Sequence, residues 1–87
     1  MKKYKFNVNR YMYVKLTDFG KEMIIKKCGY GYFEHCIEKK KQPDGYYQLQ
    51  AHEVMNLLGE YCYNGALQLP FELNVYFTEE DLIFIGD

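Results

Sequence analysis

The second half of this 87-residue chain lacks lysine and arginine altogether. All eleven basic residues lie between Lys2 and Lys41, where four acids accompany them, so residues 1–41 (the basic segment) carry a formal charge of +7. Residues 42–87 (the acidic segment) contain eight acids and carry −8. Such asymmetry bears on binding partners more than on the fold. The net charge of −1 therefore hides two oppositely charged segments.

Long apolar runs, tryptophan and paired cysteine motifs are also missing. No apolar run approaches the roughly 20 residues that span a bilayer. The first residues alternate lysine with aromatics and lack the apolar region of a signal peptide. The three cysteines (Cys28, Cys36 and Cys62) have no C-x-x-C spacing. We therefore expect no membrane partner, reduced thiols and a location in the cytoplasm.

The chain is nevertheless rich in apolar residues, at 48%, which is too many for a disordered protein. Its length predicts a single domain over residues 1–87 with a small core. Ten tyrosines have two interpretations. Tyrosine favours strands whose hydroxyls reach water, and it is also common at recognition surfaces.

The N-terminal half predicts a strand region followed by helices. Apolar residues at the even positions from Tyr4 to Leu16, except Arg10, indicate strand, either one long bent strand or a hairpin with a three-residue loop. Thr17 is a predicted N-cap, and Gly29 a predicted stop, for a helix with Phe19, Met23 and Ile24 on its apolar face. Residues 30–41 are ambiguous, although the spacing of Phe33, Cys36 and Ile37 suits a short helix.

The C-terminal half predicts a turn at residues 43–45, a short strand at 46–50 and the strongest helix at 51–64. Asn64-Gly65 is a predicted helix terminator. Alternation from Phe71 to Phe77 predicts a half-buried strand, and Leu82–Ile85 a final one. The apolar face predicted for the helix comprises Ala51, Val54, Met55, Leu58, Tyr61 and Cys62. The fold class is thus α+β, a small, mostly antiparallel sheet with two or three short helices on one face.

Catalysis and metal binding find little support in the sequence. The cysteines and histidines match no zinc spacing, and Cys62 lies on an apolar helix face. His35 and Cys36 are neighbours and point in different directions, so they cannot act as a nucleophile and its base. Gly29-Tyr30-Gly31 follows no strand and is a weak phosphate-loop candidate. We expect no cofactor, no metal and no enzymatic activity.

Two surfaces are candidates for binding. Acids beside tyrosines in the acidic segment suit a basic groove on another protein, because charge complementarity speeds encounter and aromatic anchors hold the complex. These partner-binding candidates are Glu53, Glu60, Tyr63, Glu72, Tyr76, Glu79, Glu80 and Asp81. The alternative is nucleic-acid binding through phosphate contacts and stacking. Its candidates are Lys26, Lys27, Tyr30, Tyr32, Lys39, Lys40 and Lys41.

Self-association is a third alternative. The positive segment of one copy would meet the negative segment of another, or Leu82–Ile85 would pair at an open sheet edge to form a homodimer.

Four stretches of the chain carry a resemblance. They are Tyr13–Gly20, Asp44–Gln50, Glu53–Tyr61 and Pro70–Val75. Together they resemble the LT-x-x-G, DGY, E-x-M-N and PFE-x-N stretches of small uncharacterised proteins from phages and prophages of Gram-positive bacteria. The resemblance covers roughly two-thirds of the chain. It implies a viral accessory role in the cytoplasm of a bacterial host, for which blocking a defence nuclease, including anti-CRISPR action, is one concrete form. It brings no catalytic residues.

Overall fold

The computed structural model describes residues 1–63 and 65–87, and it has an α+β fold. The first two strands, β1 (Lys3–Phe6) and β2 (Tyr11–Val14), are separated by a turn in which the amide of Arg10 donates to the carbonyl of Asn7 at 2.8 Å. The two strands do not pair with each other. The predicted strand character is confirmed, but both arrangements predicted for it are wrong, because a turn separates two short strands that pair with different partners.

Helix α1 (Asp18–Cys28) has the predicted ends. The Thr17 hydroxyl accepts from the Gly20 amide at 3.1 Å, which satisfies one of the free N–H groups of the first turn. Gly29, with φ of 92°, ends the helix in a conformation that glycine adopts without strain. Of the predicted apolar face, Ile24 is fully buried, and Phe19 and Met23 are partly buried.

Residues 30–40 are helical, which resolves the ambiguity of this region. A single turn, α2 (Tyr30–Tyr32), continues into a π-helical turn (Phe33–Ile37) and a 3₁₀ turn (Glu38–Lys40). Phe33 and Ile37 enter the core as predicted, whereas Cys36 is exposed and does not belong to the buried face.

Strand β3 (Tyr47–Gln50) leads directly into α3 (Ala51–Leu58), which continues as a 3₁₀ turn (Gly59–Tyr61). The helix is shorter than predicted, and its buried face is rotated. Leu57 is buried, whereas Met55 is 54% exposed. The predicted terminator residue Asn64 lies outside the described residues.

The predicted strand at residues 71–77 is wrong. Among the described residues, this segment forms two isolated bridges, one from Tyr76 to Tyr13 in β2 and one from Phe71 to Leu16 just after it. Two residues lie between these bridges on one side but four on the other, so the segment bulges away and Leu73 is 83% exposed. The alternation is present, but the two extra residues prevent a continuous ladder.

The final strand, β4 (Leu82–Gly86), is confirmed and follows a 3₁₀ turn (Glu79–Asp81). Two separate antiparallel pairs result, β1 with β4 and β2 with β3. The core lies between the β2–β3 pair and the helices, whereas the β1–β4 pair lies apart from it. Ten side chains form this core: Val14, Leu16, Ile24, Phe33, Ile37, Tyr47, Leu49, Val54, Leu57 and Leu58.

Candidate interaction surfaces

The β1–β4 pair, here called the ribbon, exposes much of its apolar surface. Ile83 is 62% exposed, Phe84 49% and Tyr4 51%. Tyr4 lies opposite Phe84, and their rings meet edge-on at 5.5 Å. Because paired residues of an antiparallel ladder share a face, one face of the ribbon presents aromatic rings. An isolated two-stranded ribbon is marginally stable, so this one depends on additional contacts.

One such contact is an ion pair at the base of the ribbon. The guanidinium of Arg10 donates from Nε to Asp81 Oδ1 at 2.7 Å, and its terminal nitrogen lies 2.7 Å from the same oxygen. The hydroxyl of Thr78 donates to Asp81 Oδ2 at 3.1 Å. The hydrogen bond from Arg10 to Asp81, together with the charge of Asp81, raises the pKa of Arg10. Both carboxylate oxygens of Asp81 are thus occupied.

Asp81 is therefore not available to a partner, and its assignment to the partner-binding surface is wrong. Its side chain is only 1% exposed. The neighbouring Glu79 and Glu80 are exposed, as that assignment requires. A 3₁₀ turn has three residues per turn, so its three side chains point in three different directions, and here only that of Asp81 points inward.

Tyr76 is also committed within the fold rather than exposed. Its ring stacks on that of Tyr13 at 4.6 Å with an interplanar angle of 3°, and its hydroxyl donates to Asp44 Oδ2 at 2.8 Å. Partial burial, followed by the hydrogen bond to Asp44, raises the pKa of Tyr76 to about 12. The Tyr46 amide and then the Tyr76 hydroxyl lower the pKa of Asp44.

Glu60 is exposed but paired with Lys27. The Lys27 ammonium bonds the Glu60 carboxylate at 2.5 Å, donates to the Leu57 carbonyl at 2.7 Å and lies 5.2 Å from the centre of the Tyr61 ring. The hydrogen bond between them raises the pKa of Lys27 and lowers that of Glu60. Lys27 holds the C-terminal end of α3 and is not a free cation for phosphate.

Glu53 accepts a hydrogen bond from the hydroxyl of Tyr32 at 3.3 Å. Burial, followed by the charge of Glu53, raises the pKa of Tyr32. Tyr32 is half-buried and is not positioned to stack on a base. Tyr32, a nucleic-acid-binding candidate, and Glu53, a partner-binding candidate, are thus hydrogen-bonded to each other within the protein.

The two charged segments meet in space. All three ion pairs among the described residues join the basic to the acidic segment: Arg10 with Asp81, Lys15 with Glu72, and Lys27 with Glu60. The Lys15 pair is long, at 3.9 Å, and leaves Glu72 exposed. The two charged segments therefore do not form two fully separate charged faces.

Some candidates of the nucleic-acid alternative remain exposed. These are Lys26, Tyr30, Lys39, Lys40 and Lys41. Tyr30 is 63% exposed, and the three consecutive lysines lie at the end of the second helical region. Because Lys27 and Tyr32 make contacts within the protein, this surface has fewer available groups than the sequence predicts.

A comparison of the chain with protein-family models, with curated proteins and with solved structures finds no match.

Tyr63 lines an open groove of ≈ 340 Å³ together with Phe19, Tyr61, Leu67 and Gln68. A second open groove, of ≈ 510 Å³, is lined by Thr17 and by residues on both sides of Pro70, up to Asn74, and shares Leu67 with the first. The charged side chain of this second groove is Glu72. Neither groove brings together the paired acid and base that catalysis requires.

The cysteines and histidines do not form a metal site within residues 1–63 and 65–87, where no cluster of three metal-ligating side chains occurs. Cys62 is exposed, contrary to the packing role predicted for it. The helix tightens after Leu58, which turns residue 62 away from the core, although burial of the sulfur still raises the pKa of its thiol. In the same described residues, no helix is long and apolar enough to cross a membrane.

The sequence predicted exposed Glu79 and Glu80 and an open edge at Leu82–Ile85, but it missed the exposed aromatic rings beside them. Tyr4, Phe77 and Phe84 are exposed on or beside the ribbon. A signal for them existed in the alternation of lysine and aromatic residues at the N-terminus and in the uncharged run 82–86. Assigning Tyr4 to a continuous core strand obscured that signal.

Proposed function

We propose that this protein is a small phage-encoded accessory protein that binds a host protein stoichiometrically and modulates or inhibits it without catalysing a reaction. It acts in the cytoplasm of the bacterial host. Blocking a defence nuclease, in the manner of an anti-CRISPR protein, is one concrete form of this proposal. The resemblance to phage and prophage proteins supports the origin and the role.

The observation that carries the proposal is the ribbon beside its acids. Apolar side chains that are half exposed, next to exposed Glu79 and Glu80, have the composition of an interface with aromatic anchors and a charged rim. Contiguous exposed apolar surface on a small protein marks a binding site more often than scattered single residues do. The acids would orient the approach of a basic partner surface.

Of the residues predicted for partner binding, four fit this proposal. Glu79 and Glu80 lie beside the ribbon, and Glu72 and Tyr63 line the two grooves. The other four (Glu53, Glu60, Tyr76 and Asp81) make contacts within the protein and contribute to its stability.

The test is capture of a host protein from bacterial extract by wild-type protein and by two charge-reversed variants. Glu79→Lys with Glu80→Lys removes the acids beside the ribbon. Glu22→Lys with Glu34→Lys changes the net charge by the same amount at exposed acids of the basic segment. We expect mass spectrometry to identify a host protein that the first variant loses and the second retains. Equal capture by both variants would contradict the assignment of this surface.

Nucleic-acid binding is the second candidate, favoured by the exposure of Tyr30 beside Lys26 and of the run Lys39–Lys41. A mobility-shift titration with short DNA and RNA at increasing salt distinguishes the two functions, because phosphate contacts weaken steeply with salt. Binding that is lost when Lys39, Lys40 and Lys41 are replaced by glutamine would favour this candidate. No shift at low salt would exclude it.

A further inference from the structure

Strand β4 has an open edge. The ribbon contains only β1 and β4, and no backbone hydrogen bond joins Leu82–Gly86 to any described residue outside the ribbon. The N–H and C=O groups on the outer side of such a strand are available to another chain. Ile83, Phe84 and Ile85 are each about half exposed or more, so both faces of this strand also remain largely accessible.

The two edges of the ribbon differ in their protection. Strand β1 carries Lys3 and Lys5, and lysine on an edge strand discourages pairing with other chains. Strand β4 has no charged residue between Leu82 and Gly86. The register shifts where Lys3 pairs with Gly86 and Tyr4 with Phe84, which makes Ile85 the bulged residue. The regular part of the open edge is therefore Leu82–Phe84.

Charge indicates what this edge would bind. Glu79 and Glu80 precede the strand, are exposed and form no ion pair among the described residues, and Asp87 follows it. An antiparallel strand ends beside these two glutamates, because the last residue of β1, Phe6, lies opposite Leu82. A docked strand with basic residues at its C-terminal end would thus complement the charge.

The inner edge of β4 already binds a strand of this chemistry. Strand β1 alternates Lys3 and Lys5 with Tyr4 and Phe6, and it pairs antiparallel with β4. A second copy of β4 fits less well. Two antiparallel β4 strands would bring Asp87 of one copy towards Glu79 and Glu80 of the other, and like charges at an interface are repulsive.

We propose that the open edge of β4 binds an extended segment of the host protein as an added antiparallel strand. Alternate apolar residues of that segment lie beside Leu82 and Phe84 on the aromatic face, and lysine or arginine at its C-terminal end lies beside Glu79 and Glu80. Main-chain hydrogen bonds supply affinity in this binding mode, and the alternate side chains supply specificity. The inference rests on the proposed function and names the chemistry of the partner.

Three synthetic peptides test the inference with the intact protein. The first alternates threonine and valine and ends in two lysines. The second ends in two glutamates instead. The third matches the first but is N-methylated at alternate residues, which removes its edge donors without altering the protein. Binding is followed by nuclear magnetic resonance of the backbone amides, and the oligomeric state by sedimentation.

We expect the lysine-ended peptide to perturb and protect amides of Leu82–Phe84, and the N-methylated peptide not to bind. The glutamate-ended peptide should bind about tenfold more weakly, and this preference should reverse in the Glu79→Lys, Glu80→Lys variant. The Glu22→Lys, Glu34→Lys variant should behave as wild type.

Three results would overturn the inference. One is perturbation at Lys3 and Lys5 instead of β4, and another is equal binding of the N-methylated peptide. The third is sedimentation as a dimer whose β4 amides are protected without peptide, which would assign the edge to a second copy. Failure of the peptides with intact, Glu79- and Glu80-dependent capture of a host protein would remove strand addition alone and leave the proposed function standing.

Discussion

At the scale of single residues, the contacts that matter join positions far apart in sequence. Gly20 shows this most clearly. A helical glycine is expected to destabilise its helix, yet a Cβ placed at Gly20 would lie 1.9 Å from the carbonyl oxygen of Pro70. The Thr17 amide also donates to that carbonyl, at 3.1 Å. The close approach therefore holds the chain at Pro70 against the start of α1.

Gly20→Ala should lower the free energy of unfolding by about 1–3 kcal/mol, because the new methyl group collides with backbone. Urea denaturation measures the change. Gly31→Ala is the matched control, since no atom lies within 4 Å of its Cβ position and it belongs to a helical turn. The control should be roughly 0.5–1 kcal/mol more stable than wild type. Equal stability of the two variants would contradict this account of Gly20.

Asp81→Asn should loosen the ribbon, because the change removes the charge that Arg10 bonds at its base. Amide exchange in β1 and β4 should become roughly tenfold faster, as expected for the loss of a hydrogen bond between charged groups. Exchange in α1 should not change. The exposed neighbour Glu80, changed to glutamine, is the control. Uniform acceleration throughout the protein would show that Asp81 supports the whole fold instead of the ribbon.

Titration of the Tyr76 hydroxyl should make the free energy of unfolding depend on pH. Its pKa is raised from 10.0 to about 12 in the folded protein, so its contribution to stability is present below pH 10 and is lost between pH 10 and 12. Tyr76→Phe should therefore lose less stability across this interval than wild type does. Thermal unfolding at successive pH values, with tyrosinate absorbance, checks this. An unchanged slope in the variant would contradict the prediction.

At the scale of elements, the sequence predicted a helix or strand correctly where residues close together in the sequence determine its ends. The cap at Thr17 and the stop at Gly29 fixed α1, and the turn at residues 43–45 introduced β3. The predicted strand at 71–77 failed because its continuity depends on the register against β2. That register is a property of two distant segments, and alternation within one segment does not contain it.

For the candidate surface, too, some residues could be predicted from the sequence and others could not. Exposure of Glu79 and Glu80 could be predicted from charge, because isolated carboxylates remain in water. Burial of Asp81 could not, because its partner Arg10 lies 71 residues away. Tyr76 likewise depends on Asp44, 32 residues away.

At the scale of the whole molecule, three ion pairs join the two oppositely charged segments, whereas Glu79 and Glu80 form no ion pair among the described residues. Exposed pairs such as Lys15 with Glu72 contribute little to stability in water. The acids at the ribbon form no ion pair within the described chain, apart from Asp81. The proposed binding surface therefore contains carboxylates other than those that pair within the fold.

High salt should affect the stability of the protein and its binding to a partner differently. At roughly 1 M salt the screening length falls to about 3 Å, which weakens exposed charge contacts. We expect thermal unfolding to shift by only a few degrees, because the core is apolar, whereas capture of the host protein should weaken strongly. A large loss of stability together with unchanged capture would contradict this division.

The proposed function depends on the ribbon being a binding surface and not an incidental appendage of the core. The decisive measurement is hydrogen–deuterium exchange of this protein, free and bound to a host protein identified by the capture experiment. Binding should bring new protection in residues 3–6 and 82–86, with little change in residues 30–41. Protection confined to residues 30–41, with the ribbon exchanging as fast as in the free protein, would contradict it.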